Sequence, residues 1–336
     1  MGQFWEMIAH ERRETLGEWG EAGEFVASTL PALLIHRLAV PVAIDAGDAG
    51  WRTPAGHQSP QHHSRLLQLP VDIVLLITDQ LDLNSLYTLT HCCWLLRCLL
   101  RTDVDSRFRR TLAPWANTPL ICAGDYMESN PPGITTQVPK NFTPDPELMQ
   151  DISPEKYNDL TVFDLMRHMH PVNVLGSSTC LSPPTLNPIL PEPPTRGDHH
   201  WGPKLPWERI LKIQKYFPPG RHWVLRNLTT KEYVYAHVFA SEEGSGGGVD
   251  SPDAMDVWGY TLGTLVAVNT CWSDDPSSAM SRLDVRGRWA GNCFDIVEEA
   301  RLLQDMKAEG GGWVNVSYRE HMEMVCLFKE NEWDMP

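Results

Sequence analysis

The sequence is poor in basic residues relative to acidic ones. Its 28 Lys and Arg residues stand against 43 Asp and Glu residues, which gives a formal net charge of −15 at pH 7. Nucleic acids and anionic membranes bind proteins through dense Lys and Arg. The composition therefore argues against general affinity for nucleic acid or membrane, whereas a basic protein surface remains a suitable partner.

The sequence also has no long apolar run free of charge and proline. Residues 26–44 come nearest, but Pro31 and Pro41 interrupt them and Arg37 lies near their middle. An arginine at the centre of a membrane helix costs about 2.5–3.5 kcal/mol on insertion scales. We therefore predict a buried helix in this region, with a break at Pro41.

The 8 cysteines form no C-x-x-C pair, and only Cys92 and Cys93 are adjacent. Zinc sites and disulfide frameworks ordinarily show regular cysteine spacings. The first residues also lack the apolar core of a secretory signal. We predict reduced thiols in an intracellular protein that is cytoplasmic, nuclear or both.

Motifs of nucleotide-binding and catalytic sites are missing as well. The glycine-rich residues 244–248 lack the Lys-Ser/Thr that completes a phosphate-binding loop. Pairs of neighbouring potential ligands are adjacent or two residues apart, so their members do not share a helix face. These pairs are His168/His170, His199/His200 and His321/Glu323. The sequence predicts no catalytic residue, cofactor or metal; an enzyme would need His222 or His237 within hydrogen-bond reach of a Cys, Ser or carboxylate.

Residues 66–100 (LLQLPVDIVLLITDQLDLNSLYTLTHCCWLLRCLL) carry the most regular apolar pattern of the chain. Apolar side chains recur at steps of three and four residues, which is typical of one helix face. Pro70 suits the first turn of a helix, and Asp82 or Asn84 can cap the next one. The spacing predicts three helices, too small to bury all their apolar side chains without a partner.

This stretch resembles an F-box, the module by which F-box proteins bind the adaptor subunit of cullin-RING (SCF-type) ubiquitin ligases. The matching positions are Leu69, Pro70, Ile73, Ile77, Leu81, Leu86 and Leu89, with Asp72 where the family usually has an acidic residue. The sequence departs from the pattern at Leu83, where many members have proline, and at 92–94, which replace a more basic end. The resemblance implies an adaptor-binding surface, and through the adaptor a cullin. The residues of this adaptor-binding surface would be Leu69, Pro70, Ile73, Ile77, Leu86 and Leu89.

Three later segments, with the MGQFW start, are similar to segments of F-box proteins of filamentous fungi. They are WVLRNLTTKEYV (223–234), CWSDDPS (271–277) and RGRWAGNCFDIV (286–297). This chain departs from its relatives at Tyr235 and at Asn292-Cys293, where they commonly carry basic residues. If these positions contact a partner, this chain would bind a different one.

The predicted fold class is α+β, with a small helical F-box ahead of a mixed C-terminal domain that contains an antiparallel sheet. The predicted divisions are an N-terminal helical segment (1–64), the F-box (65–112), a proline-rich irregular connection with one helix (113–205) and the α+β domain (206–336). Aromatic and β-branched residues predict four strands in the last division. These strands are His222–Leu228, Glu232–Ala240, Tyr260–Trp272 and Trp289–Val297, with a hairpin at TTK between the first two. Ser317 and Glu320 have the spacing of a capping box ahead of a final helix.

The function predicted is that of a substrate-recognition subunit of an SCF-type ubiquitin ligase, with an unidentified protein as its target. Trp and Arg are the residues most enriched in binding hot spots. Trp223, Arg226 and Trp289 are therefore the candidate substrate contacts. The alternative is a scaffold or interaction protein outside any ligase, in which the F-box-like helices pack internally.

Overall fold

The structure is a computed structural model with an α+β fold. It describes residues 2–16, 20–27, 30–42, 64–134, 161–166, 170–171, 216–218, 220–239, 260–278 and 280–331. The chain divides into two compact units, here called the helical unit (Ala43–Leu112 and Val174–Tyr216) and the sheet unit (Met1–Val42, Ala113–Asn173 and Phe217–Pro336). Among the described helices, none has the length and apolar character needed to cross a membrane.

The helical unit contains three helices that follow one another closely. A 3-10 turn at Leu66–Gln68 leads into α3 (Val71–Asp79), α4 (Leu83–Cys92) and α5 (Trp94–Thr111). The side chain of Asp82 accepts a hydrogen bond from the backbone N–H of Ser85 at 2.8 Å, so Asp82 caps α4 as predicted. Cys93 plays the same part for α5, since its sulfur accepts from the Leu96 N–H at 3.5 Å.

The first sheet of the sheet unit is built around the N-terminal strand β1 (Phe4–Ala9), which pairs antiparallel with β4 (Leu120–Gly124). Strand β4 in turn pairs in parallel with the short β8 (Cys271–Trp272). The remaining strands are β2 (Glu14–Thr15), β3 (Gly20–Glu21) and β5 (His170–Pro171). Every residue of β4 is buried. Helices α1 (Ala22–Ala27), α2 (Leu30–Leu38) and α6 (Val162–Met166) complete this part.

The second sheet has the order β10-β7-β6-β9. Strands β6 (Trp223–Asn227) and β7 (Glu232–Tyr235) form the hairpin predicted at TTK, and Lys231 adopts a left-handed φ of 59° in its turn. Strand β9 (Phe294–Glu298) is antiparallel to β6, whereas the two-residue β10 (Val314–Asn315) is parallel to β7. The helices of this part are α7 (Leu262–Asn269), α8 (Glu299–Ala308) and α9 (Ser317–Glu330).

The largest difference from the sequence prediction is α7, which was predicted as the strand Tyr260–Trp272. Residues 262–267 are all buried, and a helix that is apolar on every side has no amphipathic period to reveal it. Thr261 caps the helix and forms a capping box with Thr264. Gly263 is required there, because a Cβ at this position would lie 1.8 Å from the carbonyl oxygen of Pro31 in α2.

Two predicted divisions also differ from the structure. The N-terminal segment is not purely helical, since β1 lies inside a sheet, where pairing on both sides outweighs local propensity. Within the predicted irregular connection, β4 is a central strand of the same sheet. Helix α2 does form in the predicted 26–44 region, and it ends at Leu38, ahead of Pro41. Most of the proline-rich residues lie outside the described residues. So do most of residues 206–217 (PWERILKIQKYF), for which the sequence predicts a helix that begins at Pro206.

The final helix begins at the predicted place but without the predicted capping box. The hydroxyl of Ser317 accepts a hydrogen bond from the Tyr235 N–H at 3.0 Å, so it joins α9 to β7. The carboxylate of Glu320 contacts the guanidinium groups of Arg288 and Arg319. Both side chains are therefore used for tertiary contacts, and neither caps the helix.

Candidate functional site: an exposed apolar helix face

The helical unit has a hydrophobic core of its own. Six buried side chains, contributed by all three helices, form it: Val74, Leu86, Tyr87, Leu96, Leu100 and Val104. Half-buried leucines pack around them, among them Leu66, Leu67, Leu81 and Leu89. Burial raises the pKa of the Tyr87 hydroxyl, and the nearby Arg97 only partly offsets this, so the phenol stays neutral.

Helix α3 presents apolar side chains on nearly all sides but buries only one of them. Val74 and Thr78, one turn apart, point into the core. Leu76 follows Val74 by two residues, about 200° around the helix, and is 61% exposed. Six large apolar side chains are exposed here, and we call them the docking face. They are Leu69, Val71, Ile73, Leu75, Leu76 and Ile77.

Arg107 on α5 holds the C-terminal end of α3 in place. Its guanidinium donates to the carbonyl oxygens of Leu81 at 2.8 Å and Thr78 at 3.2 Å, and pairs with Asp79 at 2.9 Å. A second carboxylate, Asp103, accepts from the Arg107 Nε at 3.1 Å. A cation at the carbonyl end of a helix is stabilising. The docking face is thus displayed on a helix whose orientation is fixed within the unit.

The structure separates the six predicted adaptor-binding residues into two groups. Leu69, Ile73 and Ile77 belong to the docking face, and Pro70 beside them is exposed at the start of α3. Leu86 is fully buried, and Leu89 is half-buried against the same core. Leu86 therefore stabilises the helical unit from inside, and its side chain is not on the surface.

Three members of the docking face, Val71, Leu75 and Leu76, were not among the residues predicted to bind the adaptor. Their signal was present, since seven residues of α3 read VDIVLLI and only one of them is polar. Such a composition in a short surface helix predicts more apolar surface than one core can cover. The F-box resemblance points only to the motif positions, so it does not reveal this excess of apolar surface.

The predicted substrate contacts Trp223, Arg226 and Trp289 lie in the interior of the sheet unit. Both indole rings are buried. The guanidinium of Arg226 donates to Asp295 at 2.8 and 2.7 Å and to Asp305 at 2.5 Å. Burial opposes its charge, but the two carboxylates outweigh burial and raise the pKa of Arg226. These side chains hold the second sheet together and present no surface to a target.

The three family-like segments are also joined to one another inside the sheet unit. Arg286 pairs with Asp274 and lies over the Trp272 ring, 4.5 Å from its centroid. The indole N–H of Trp289 donates to Glu232 at 3.0 Å. Residues of all three segments thus form internal contacts, and these contacts account for their residue types without a bound partner.

The buried Glu320 is the centre of a second charged group. Its side chain is fully buried, and Arg288, Arg319 and Asn269 contact its carboxylate. Burial raises the pKa of the Glu320 carboxyl, and the two arginines only partly counteract this. The group joins α9 to α7 and to the turn before β9, which is a structural task.

The two histidines on which the enzyme alternative depends lie close to each other in the sheet unit. His222 and His237 lie with their ring centroids 5.9 Å apart, and His237 packs on Tyr235 at 4.9 Å. Tyr235 donates its hydroxyl to Glu299 at 2.7 Å. In the part of the chain that the structure describes, no three His, Cys, Asp or Glu side chains are grouped to hold a metal ion. His168, His199 and His200 lie outside that part.

Comparisons of this chain with protein-family models, with curated proteins and with solved structures found no match. The docking face therefore has to be interpreted from its own geometry and from the resemblance of residues 66–100 to an F-box.

Proposed function

We propose that this chain is the substrate-recognition subunit of an SCF-type ubiquitin ligase. In this proposal the docking face binds the adaptor subunit, and through it a cullin, while the sheet unit binds a target protein. The observation that carries the proposal is the exposed apolar surface of α3, which coincides with the start of the F-box-like motif at Leu69 and Pro70.

The size and chemistry of the docking face support a protein partner. Soluble proteins seldom leave many large apolar side chains together on their surface unless another molecule covers them. The charges of the helical unit add to this argument. Residues 64–112 contain six arginines and five aspartates, so the acidic excess of the chain lies elsewhere. An almost neutral, apolar face suits an apolar groove on a partner, and a strongly charged partner would gain little from it.

The chain needs no catalytic side chain for this function. Holding a target beside the ubiquitin carrier raises the effective concentration of the target's lysines at the reactive thioester. The acidic character of the chain outside residues 64–112 fits a target with a basic, lysine-bearing surface. Both units would then act by binding other proteins, and neither would take part in the chemical reaction.

A specific observation favours the alternative of a scaffold protein outside any ligase. Leu86 and Leu89, two of the positions that the resemblance assigns to adaptor binding, face the internal core. In this alternative the motif positions exist to pack three helices together, and the docking face binds some other apolar surface.

The two functions are distinguished by the double variant Leu69→Ala with Pro70→Ala and by Leu76→Glu. We expect either change to abolish co-purification of the adaptor while leaving the far-ultraviolet circular dichroism unchanged, since these side chains contribute little to the core. The matched control is Leu303→Glu, because Leu303 is 55% exposed on α8 in the sheet unit. The control should bind the adaptor as the wild type does.

Two results would contradict the proposal. One is wild-type adaptor recovery with Leu76→Glu. The other is a wild-type protein that recovers no adaptor at all, which would leave the scaffold alternative. Leu86→Ala adds an internal check, since it should cost about 2–5 kcal/mol of stability by opening a cavity and should reduce adaptor binding only through unfolding.

A further inference from the structure

Cys122 and Cys271 lie opposite each other in adjacent parallel strands of the first sheet. Strands β4 and β8 pair in this register, and the Cys122 N–H donates to the carbonyl oxygen of Thr270 at 2.9 Å. Residues opposite each other in neighbouring strands point to the same face, and the strands lie about 4.8 Å apart. This separation falls inside the range of roughly 4.4–6.8 Å between the Cα atoms of a disulfide. The pairing therefore brings the two thiols within reach of a disulfide bond.

The two thiols share an enclosed environment. Cys122 is fully buried, and Cys271 is 4% exposed. The Cys271 thiol donates to the carbonyl oxygen of Ala267 in α7 at 3.4 Å. Burial raises the pKa of the Cys122 thiol, and the neighbouring Cys271 and Glu6 raise it further, so Cys122 stays protonated. A buried thiol of this kind reacts slowly unless the structure opens locally.

Strand β8 is suited to such an opening. It spans only two residues, 271 and 272, and local unfolding is easiest in short elements. Besides its pairing with β4, the strand is held by two hydrogen bonds: the Trp272 indole N–H donates to the carbonyl oxygen of Ser129 at 2.7 Å, and the Gly287 N–H donates to the carbonyl oxygen of Cys271 at 2.8 Å. Brief separation of β8 from β4 would expose Cys271 first, because it is the less enclosed of the two.

We propose that Cys122 and Cys271 form an intramolecular disulfide when the protein meets a peroxide. The Cys271 sulfur attacks one oxygen of hydrogen peroxide, the O–O bond breaks, and a sulfenic acid and one water result. The Cys122 sulfur then attacks the sulfenic sulfur, the S–O bond breaks, and a second water leaves with the Cys122 proton. In total two thiols lose two electrons and the peroxide is reduced to two waters. A dithiol reductant reverses the modification.

The disulfide would close a long loop, because it joins residue 122 to residue 271. A cross-link across a long loop restricts the unfolded chain, so the oxidised protein has a higher thermal midpoint. It also fixes β8 to β4 and with it the Trp272 contact to Ser129. Oxidation would therefore convert a short strand into a permanent part of the sheet. This modification is independent of the ligase function proposed above.

The sequence allows a direct test by peptide mapping. Trypsin cuts after Arg110, Lys140, Lys231 and Arg282, and the peptides 111–140 and 232–282 each contain one cysteine, Cys122 and Cys271 respectively. The full chain is treated with hydrogen peroxide under native conditions, remaining thiols are alkylated in denaturant, and the digest is analysed by mass spectrometry. We expect the two peptides to be linked, with the loss of two hydrogens, and to separate after reduction.

Variants and a second measurement make the test decisive. Cys271→Ser and, separately, Cys122→Ala should each remove the linked pair and the rise in thermal midpoint, which we expect to be several degrees. Cys293→Ser, at a half-buried thiol near β9, should retain both. The proposal is overturned if both peptides are recovered fully alkylated while the exposed Cys92, Cys98 and Cys326 are oxidised. It is also overturned if Cys122 is linked to several other cysteines as often as to Cys271.

Discussion

The two units of this protein differ in which charged and apolar side chains they bury. The sheet unit buries charged side chains, such as Arg226, Asp295 and Glu320, and gives each an ionic partner. The helical unit keeps most of its charges near the surface and leaves large apolar side chains such as Leu76 exposed. The buried charges of the sheet unit are therefore paired within the chain, whereas the helical unit leaves most of the apolar side chains of α3 outside its own core.

This comparison changes the meaning of the sequence resemblances. The similarity in residues 223–234, 271–277 and 286–297 coincides with internal contacts, for example Arg226 with Asp295 and Trp289 with Glu232. Such residues are explained by the fold alone. The start of the F-box-like motif, in contrast, coincides with side chains that the fold does not use, and these are the residues to test for binding.

The comparison is tested most strongly by Arg226→Ala. The substitution leaves Asp295 buried beside no cation, and breaking a buried pair in this way costs about 3–5 kcal/mol. We expect a correspondingly lower urea midpoint, followed by tryptophan fluorescence, with loss of the second sheet. The control is Arg221→Ala, because Arg221 is exposed and pairs with Glu298 at 2.6 Å; such a pair contributes less than about 1 kcal/mol. Equal small effects of both substitutions would show that the buried pair does not stabilise the sheet unit.

A smaller effect is expected from acid, through His36 in α2 of the sheet unit. Burial, with a contribution from Arg37, lowers the pKa of His36 from 6.5 to about 3. As the pH falls below 6.5, His36 therefore becomes protonated in the unfolded chain, whereas in the folded chain it stays neutral until the pH approaches 3. The contribution of His36 to stability is complete above pH 6.5 and is lost between pH 6.5 and 3, by at most ~1.4 kcal/mol per pH unit.

The measurement is the free energy of unfolding of wild type and His36→Gln from pH 7.5 to 4. Carboxylates titrate in both proteins, so the difference between the two curves isolates the imidazole. That difference should be constant above pH 6.5 and should shift in favour of the variant as the pH falls. Parallel curves over the whole range would contradict the lowered pKa.

The smallest effect concerns the helical unit, whose helices depend on local capping. Asp82→Ala removes the side-chain acceptor of the Ser85 N–H and should cost about 1 kcal/mol. Hydrogen exchange at the Ser85 amide should accelerate, while amides of β6 and β9 remain protected. Thr102→Ala is the matched control, since Thr102 is exposed within α5 and its replacement should change stability by less than about 0.5 kcal/mol. Unchanged exchange at Ser85 would show that tertiary packing, and not the cap, holds α4.

Several parts of the fold followed from local sequence. The β6–β7 hairpin was predicted from aromatic and β-branched runs flanking TTK, and the structure confirms it. The cap at Asp82 is likewise confirmed. Each of these depends on residues close together in the chain.

Other parts of the fold could not be predicted from local sequence. The helix α7 was predicted as a strand because burial on all sides hides its period. The Ser317 and Glu320 spacing suggested a cap, but their side chains contact Tyr235 and Arg288 from distant segments. Trp223, Arg226 and Trp289 were predicted as a binding surface because of their residue types, whereas packing within the sheet unit buries all three side chains.

The sequence by itself determined the β6–β7 turn, the cap at Asp82 and the excess of apolar residues in α3, because these depend on the intrinsic preferences of residues near one another. Only the tertiary structure decided which apolar and charged side chains are covered, because burial depends on segments that are far apart in the chain. For this reason residue type identified Leu86 and Leu76 alike as apolar helix positions, and packing alone placed Leu86 in the core and Leu76 on the surface.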